Sequence, residues 1–262
     1  MKTYLLGACA LVLVPAAAFA AGSWDGTWKV DVSSAQMPKR PDVYVLKDGN
    51  WDCKTCVPEI KVKADGKDYP VAGSPYVDSV AVKVVDDHTV QETDKKNGKV
   101  VGSMTTTIAA DGKSGSIEFS DSSNTNGAPV TGKGKIQRVA AGPKGSHAVS
   151  GSWRMTNMSD FSDNGITFTI KTEGDSFSMS TPTGQSYTAK LDGTEAPMKG
   201  DPGVTSVSLI KRGKNTVEET DKRDGKTTAV MTMTISGDGK TISVHYDDKR
   251  HGTSMSYKAN KQ

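Results

Sequence analysis

The sequence has few aromatic residues and few of the side chains that most often carry chemistry. Aromatics make up 6% of its 262 residues, and there are 3 cysteines and 4 histidines. The core must therefore come mainly from Val, Ile, Met and Leu, which alternate here with Thr and Ser, and this is a composition typical of strands. With so few thiols and imidazoles, the chain offers no second ligand pair for a zinc site.

An excess of one charge and a helical periodicity are also absent. Lys plus Arg number 33 and Asp plus Glu number 30, so the net charge is +3, and the two signs are interleaved. A nucleic-acid-binding domain is expected to have a basic face and stacking aromatics. No segment carries a sustained apolar stripe of period 3.6. We therefore predict an all-β protein with no nucleic-acid partner.

The first twenty residues have the pattern of an export signal. Lys2 supplies a positive charge, Leu5–Val14 is apolar, and Ala18-Phe19-Ala20 fits the small-x-small cleavage pattern. The apolar run is too short to span a bilayer comfortably, so we predict no transmembrane anchor. Residues 1–20 are interpreted as a signal peptide, the mature chain is expected to start at Ala21, and the predicted location is the periplasm or the exterior.

An internal repeat is the strongest pattern in the chain. Thr89–Lys99 recurs as Thr216–Lys226 with eight of eleven positions identical, and each copy is a β-branched strand that runs into Asn-Gly or Asp-Gly. These dipeptides are typical of tight hairpin turns. A repeat of about 126 residues is the size of a domain rather than of a solenoid unit. The sequence therefore predicts two repeats, residues 22–148 and 149–262.

Each repeat contains about eight or nine short segments with strand alternation, separated by turn residues. A sheet with this many antiparallel strands must close or stack to bury its apolar face and remove its edges. We therefore predict two tandem antiparallel up-and-down β-barrels that arose by internal duplication. The alternative is a single sheet system in which both halves close together.

Gly26-Thr27-Trp28 and Gly151-Ser152-Trp153 begin the two repeats. A Gly-x-Trp at the first strand of an antiparallel meander resembles the lipocalin and fatty-acid-binding group. The resemblance implies that each Trp packs at the closed end of a lipocalin-like barrel against a basic residue of a late strand, with Arg138 the candidate in the first half and Lys258 in the second. The whole chain is also similar to bacterial exported proteins of unknown function that share its Cys-x-x-Cys segment and a segment of the type Asp86-Asp87-His88-Thr89-Val90. This resemblance indicates a bacterial source and supplies no activity.

Cys53-Lys54-Thr55-Cys56 is the sharpest local motif. A redox dithiol would need a βαβ setting, and the chain is all-β. A haem attachment would need His where Val57 stands, and a zinc site would need a second ligand pair. A local disulfide between Cys53 and Cys56 fits an exported protein, and this is our prediction.

The only carboxylates repeated within strands are Glu92 and Asp94, matched by Glu219 and Asp221. Paired carboxylates can hydrolyse glycosides. Because both copies lie beside Lys and Arg in a hairpin, we expect solvent-exposed cross-strand ion pairs instead. The sequence has no nucleophile elbow and no phosphate-binding loop. We predict a protein that is not an enzyme, with no catalytic residues, no cofactor and no metal site.

The functional hypothesis is that a small apolar or amphipathic ligand binds inside a barrel. The scarcity of bulky residues leaves little to fill two interiors, and methionines suit an adaptable apolar pocket. The alternatives are that these side chains simply fill the barrels of a structural or protein-interaction module of the cell envelope, or that the protein is an envelope enzyme. By strand alternation, the predicted ligand-binding residues are Val80, Val82, Met104, Ile108, Phe119, Val207, Leu209, Met231, Met233, Ile235 and Tyr246.

Overall fold

The computed structural model describes residues 24–262, which form two nearly closed antiparallel barrels of ten strands each. The predicted signal peptide lies outside the described residues. The one helix among residues 24–262 is α1 (Asp163–Ile166). In this part of the chain, no helix is long and apolar enough to cross a membrane.

The strands of the two halves correspond one to one. In the first half they are β1 (Gly26–Gln36), β2 (Asp42–Lys47), β3 (Asn50–Cys53), β4 (Ile60–Lys63), β5 (Asp65–Pro70), β6 (Ser79–Val84), β7 (Thr89–Lys96), β8 (Lys99–Ile108), β9 (Ser114–Asp121) and β10 (Val130–Ala141). In the second half they are β11 (Gly151–Ser159), β12 (Thr167–Glu173), β13 (Ser176–Ser180), β14 (Ser186–Lys190), β15 (Asp192–Pro197), β16 (Ser206–Lys211), β17 (Thr216–Arg223), β18 (Lys226–Ile235), β19 (Thr241–Asp248) and β20 (Thr253–Lys261).

The all-β barrel fold predicted from the sequence is confirmed, with ten strands per barrel instead of eight or nine. Strands β3 and β4 have only four residues each. In so short a strand, period-two alternation gives one or two inward positions, such as Trp51 in β3, and cannot be told from a loop. Strands of this length are therefore easily missed in a count made from alternation.

The first strands of the two halves are exchanged. One sheet has the order β4-β3-β2-β11-β10-β9-β8-β7-β6-β5, and the other has the order β14-β13-β12-β1-β20-β19-β18-β17-β16-β15. We call the sheet that contains β2–β11 the first barrel and the sheet that contains β1 and β12–β20 the second barrel. Each half therefore completes its barrel with a strand from the other half. The division into repeats 22–148 and 149–262 stays a prediction, and the sheets depart from it at these two strands.

The Gly-x-Trp motifs close the barrels at these exchanged strands. Trp28 and Trp153 are fully buried, and each indole N–H donates to a carbonyl four residues earlier, at 2.9 and 2.7 Å. Because the first strands are exchanged, each Trp is covered by a cationic side chain from the other half of the sequence. The Arg138 guanidinium lies 4.1 Å from the centre of the Trp153 ring, and the Lys261 ammonium lies 5.2 Å from that of Trp28. The expected pairing of Arg138 with the first Trp, and the choice of Lys258, were therefore wrong.

The glycine of this motif has a steric reason. Gly151 has φ +140°, and a Cβ there would lie 2.6 Å from the Arg138 guanidinium and 2.5 Å from the Ala140 carbonyl. A side chain at this position would displace the cation that covers the tryptophan. Gly26, with φ +136°, has the same relation to Lys261.

Candidate functional site

An open cavity of about 620 Å³ lies at the mouth of the first barrel. Its inner wall is formed by β7, β8 and β9, and loops of the second barrel border it from outside. Met104 and Phe119 are cross-strand partners on this wall, and Phe119 packs edge-on against Phe161 with ring centres 5.7 Å apart. The cavity therefore has an apolar side.

The other side of the cavity carries carboxylates from the repeated stretch. Glu92 and Asp94 follow Val90 at alternate positions of β7, and because Val90 is buried, all three share the inward face. Desolvation by burial, followed by the negative charge of Asp94, raises the pKa of Glu92 to about 7. Burial also raises the pKa of Asp94, with a further contribution from the charge of Asp121.

The expected exposed ion pairs of these carboxylates were wrong. Lys95 pairs with Asp68 at 2.6 Å, and Lys222 pairs with Glu195, so the neighbouring lysines serve other partners. The physical reason is strand alternation: each lysine follows its aspartate by one residue and points to the opposite face. The same rule, applied from the buried Val90, would have placed Glu92 inside.

In the second barrel, the equivalent carboxylate has a partner from the protein. Glu219 is 1% exposed, and the hydroxyl of Tyr187 donates a hydrogen bond to it. Burial, and then the charge of Asp221, hold the pKa of Glu219 well above its usual value. Burial raises the pKa of Asp221 to about 6.

Three inward positions of the first barrel are glycines, of which Gly102 lines the cavity. The cross-strand register gives the positions equivalent to them in the second barrel, where larger residues stand. The substitutions from the first to the second barrel are Gly102 to Ala229, Gly132 to Met255, and Gly134 to Tyr257. Part of the space is used locally, since Phe119 packs on Gly132 and Met155 covers Gly134.

One loop residue of the first half contacts the second barrel and has only a glycine as its equivalent. Tyr76, between β5 and β6, reaches the second barrel, where its hydroxyl donates to Asp201 at 2.8 Å. A Cβ on Gly203 would lie 1.9 Å from that hydroxyl. At the repeat offset of 127, Gly203 is the equivalent of Tyr76. Tyr76 also lines the cavity of the first barrel, so its phenol lies between the two mouths, and the second half has only a glycine at the equivalent place.

Two of the predicted ligand-binding residues, Met104 and Phe119, line the cavity. The others do not. The members with buried side chains are Val80, Val82, Ile108, Val207, Leu209, Met233 and Ile235. Met231 is partly buried against the second core, and Tyr246 is half-buried at the second barrel's mouth. Alternation identified the inward faces, but it did not place the carboxylates there, because their Lys and Arg neighbours favoured exposed ion pairs.

The predicted disulfide between Cys53 and Cys56 is present, with Cα atoms 5.5 Å apart. It follows β3, and Cys53 is buried in the core of the first barrel. Neither cysteine is among the residues that line the cavity. Within residues 24–262, no group of three or more His, Cys, Asp or Glu side chains is placed to hold a metal ion.

Comparison with known proteins gives no family. No protein-family model matches the chain, and a search of curated proteins finds no matching sequence. The protein is a tandem pair of ten-stranded barrels with exchanged first strands. The first barrel has an open mouth with acidic and apolar walls.

Proposed function

We propose that this is an exported, non-enzymatic binding protein that holds a small amphipathic ligand in the cavity of the first barrel. The observation that carries the proposal is the asymmetry between the barrels. Met255 and Tyr257 face the interior of the second barrel where the first barrel has Gly132 and Gly134, and the open cavity borders Met104 and Phe119 of the first barrel. Removing side-chain atoms from a core lowers the free energy of unfolding. An unfilled interior is therefore expected where it serves a function such as ligand binding.

The size and the walls of the cavity support this proposal. About 620 Å³ falls within the usual range of small-ligand sites, which combine apolar walls with a few polar groups. Met104 supplies an adaptable thioether, and Phe119 supplies an aromatic surface. The binding mode would resemble that of lipocalin-like barrels, in which the ligand enters one open end.

Export is supported by the signal-like residues 1–20 and by the disulfide, because such bonds persist mainly in oxidising compartments. We propose the periplasm or the exterior of a bacterial cell as the location. The intact mass of the protein recovered from the periplasm or medium should correspond to a chain that begins at Ala21. A mass that retains residues 1–20 would contradict export by cleavage.

A structural or interaction module is the second candidate, and the filled second barrel favours it. Inside this barrel, the carboxylate of Glu219 already accepts a hydrogen bond from the hydroxyl of Tyr187. An envelope enzyme has less support. Among the described residues that line the first cavity there is no His, Cys or Lys, and Glu92 and Asp94 are two residues apart on one strand.

The test is titration of the exported protein with N-phenylnaphthylamine, a neutral apolar dye whose emission rises in apolar surroundings. We expect saturable binding that Met104→Trp, which fills the cavity, weakens at least about tenfold. Met104→Leu and Met231→Leu are the matched controls, because they conserve volume at equivalent positions of the two barrels. Circular dichroism checks that each variant is folded.

Absence of saturable binding to the wild-type protein would contradict the proposal. So would binding that survives Met104→Trp in a folded protein. Native mass spectrometry of the exported protein adds an independent readout, since a co-purifying small molecule should be lost on denaturation.

A further inference from the structure

We infer that the ligand of the first barrel carries a protonated amine, which binds between Glu92 and Asp94 while its apolar part lies on Met104 and Phe119. This inference rests on the proposed function, because it names the chemical class of the ligand for the same cavity. It follows from an unmatched carboxylate, from the charges around it and from the apolar wall beside it.

The first observation is that Glu92 lacks a donor. No residue of 24–262 forms a hydrogen bond or an ion pair with its carboxylate, although the strand places it inside the barrel and burial perturbs its pKa. Glu92 is half-buried and borders the open cavity, so its carboxylate is accessible to a donor that enters the cavity. At the equivalent position, the protein supplies Glu219 with the hydroxyl of Tyr187. A ligand that donates to Glu92 would therefore take the place that Tyr187 takes in the second barrel.

The second observation is the sign of the charge. Asp94 and Asp121 both pair with Gly102 across β8, so a row of carboxylates leads from the interior towards the exposed rim. The one cationic side chain among the described lining residues is Arg250, and it is already engaged by Asp248 at 3.6 Å and by Tyr76. A cleft lined by charges of one sign attracts ligands of the opposite sign. The cavity therefore favours a cation over a neutral or anionic donor.

The third observation separates an organic amine from a metal ion. No metal-binding group was found among the described residues, and one wall of the cavity is apolar. Gly102 has no side chain, and a Cβ there would lie 3.0 Å from Asp94, so the glycine leaves the approach to this carboxylate open. An ammonium group donates up to three hydrogen bonds, which suits two neighbouring carboxylates. The apolar surface of Met104 and Phe119 would then contact an alkyl or aryl substituent.

The experiment compares two probes with the same fluorophore: dansylcadaverine, which carries a primary ammonium, and dansylamide, which is neutral. At neutral pH and low salt, we expect the wild-type protein to bind dansylcadaverine at least about tenfold more tightly than dansylamide. Added salt should reduce this preference, because exposed parts of the acidic row are screened.

Glu92→Gln should abolish the preference while leaving the affinity for dansylamide nearly unchanged. Glu219→Gln is the matched control, since it makes the same change at the equivalent position of the filled barrel and should keep the preference. Equal affinities for both probes in the wild-type protein, or a preference that survives Glu92→Gln, would overturn the inference while leaving the proposed function standing. If neither dansyl probe nor the neutral dye binds saturably, the proposed function itself fails.

Discussion

The interior row of side chains that crosses four neighbouring strands differs between the barrels in its last members. In the first barrel the row is Glu92, Met104, Phe119 and Gly132. In the second it is Glu219, Met231, Tyr246 and Met255. The acidic residue and the methionine are the same in both copies, whereas the groups that fill the space beside them are not. Two barrels of one topology can therefore keep the same buried carboxylate in two different environments.

The surroundings decide what that carboxylate does. Glu219 is covered and receives a hydrogen bond from Tyr187, so it belongs to a packed interior. Glu92 faces an open cavity and receives none from the described residues. Tyr76, which has only Gly203 as its equivalent, lies where the two barrels meet: its hydroxyl donates to Asp201, and it also lines the cavity of the first barrel.

The largest effect is expected from the exchanged strands. Trp28→Ala removes a fully buried indole and should lower the free energy of unfolding by about 3–5 kcal/mol. Because β1 belongs to the second sheet, hydrogen exchange should accelerate first in β12 and β20, although Trp28 lies in the first half of the sequence. Trp153→Ala should instead accelerate exchange in β2 and β10. If Trp28→Ala accelerated hydrogen exchange in β2 and β10, and Trp153→Ala in β12 and β20, the exchange of first strands between the barrels would be contradicted.

The next effect is a dependence of stability on pH. Glu92, Glu219 and Asp221 have raised pKa values, so between the unfolded value and the folded value the native state holds more protons than the unfolded state. The contribution of Asp221 is therefore lost as the pH rises through about 6, and that of Glu92 as it rises through about 7, while the raised pKa of Glu219 acts in the same direction. Stability measured by urea unfolding should therefore fall between pH 5 and pH 8.

Glu219→Gln separates the barrels in this measurement. It should flatten the part of the pH dependence that comes from the second barrel, and Glu92→Gln should flatten the part from the first. Lowered pKa values, such as that of Asp65, belong mainly to exposed groups and should change the slope little. A stability that rises between pH 5 and pH 8 in the wild-type protein would show that the buried carboxylates do not control it.

A smaller effect is expected from the donor to Glu219. Tyr187→Phe leaves a buried carboxylate without its hydrogen bond and should cost about 1–3 kcal/mol. Tyr44, in the first barrel, is the control: its ring stacks on Trp51 at 5.3 Å, and among the described residues its hydroxyl has no hydrogen-bond partner. Tyr44→Phe should therefore change stability by less than Tyr187→Phe, and the reverse order in chemical denaturation would count against the assigned hydrogen bond.

The smallest effect is expected from the disulfide, which only the first barrel has. The loop between Cys53 and Cys56 is so short that the chain-entropy model gives at most about 2 kcal/mol. The double change to serine should keep the native circular dichroism spectrum and lower the melting temperature by a few degrees. Loss of cooperative unfolding would show that this connection matters more than its loop length implies.

Period-two patterns and the repeated hairpin stretch were enough to predict the all-β class, the barrels and most of the core. They could not predict the exchange, because β1 and β11 carry the same Gly-x-Trp pattern and each fits either barrel. Tyr76 and Gly203 lie in Pro-containing loops, where no periodicity indicates which side chain reaches a neighbouring barrel. Glu92 could have been placed inside from Val90, but its charge and its lysine neighbours favoured the wrong face.

Hydrogen exchange with and without saturating N-phenylnaphthylamine tests the difference between the barrels most directly. We predict slower exchange in residues 92–104 and 119–132 of the first barrel. We expect no change in the equivalent residues 219–231 and 246–255 of the second. Protection of both barrels to the same extent, or of the second barrel alone, would contradict the claim that only the first barrel is open to a ligand.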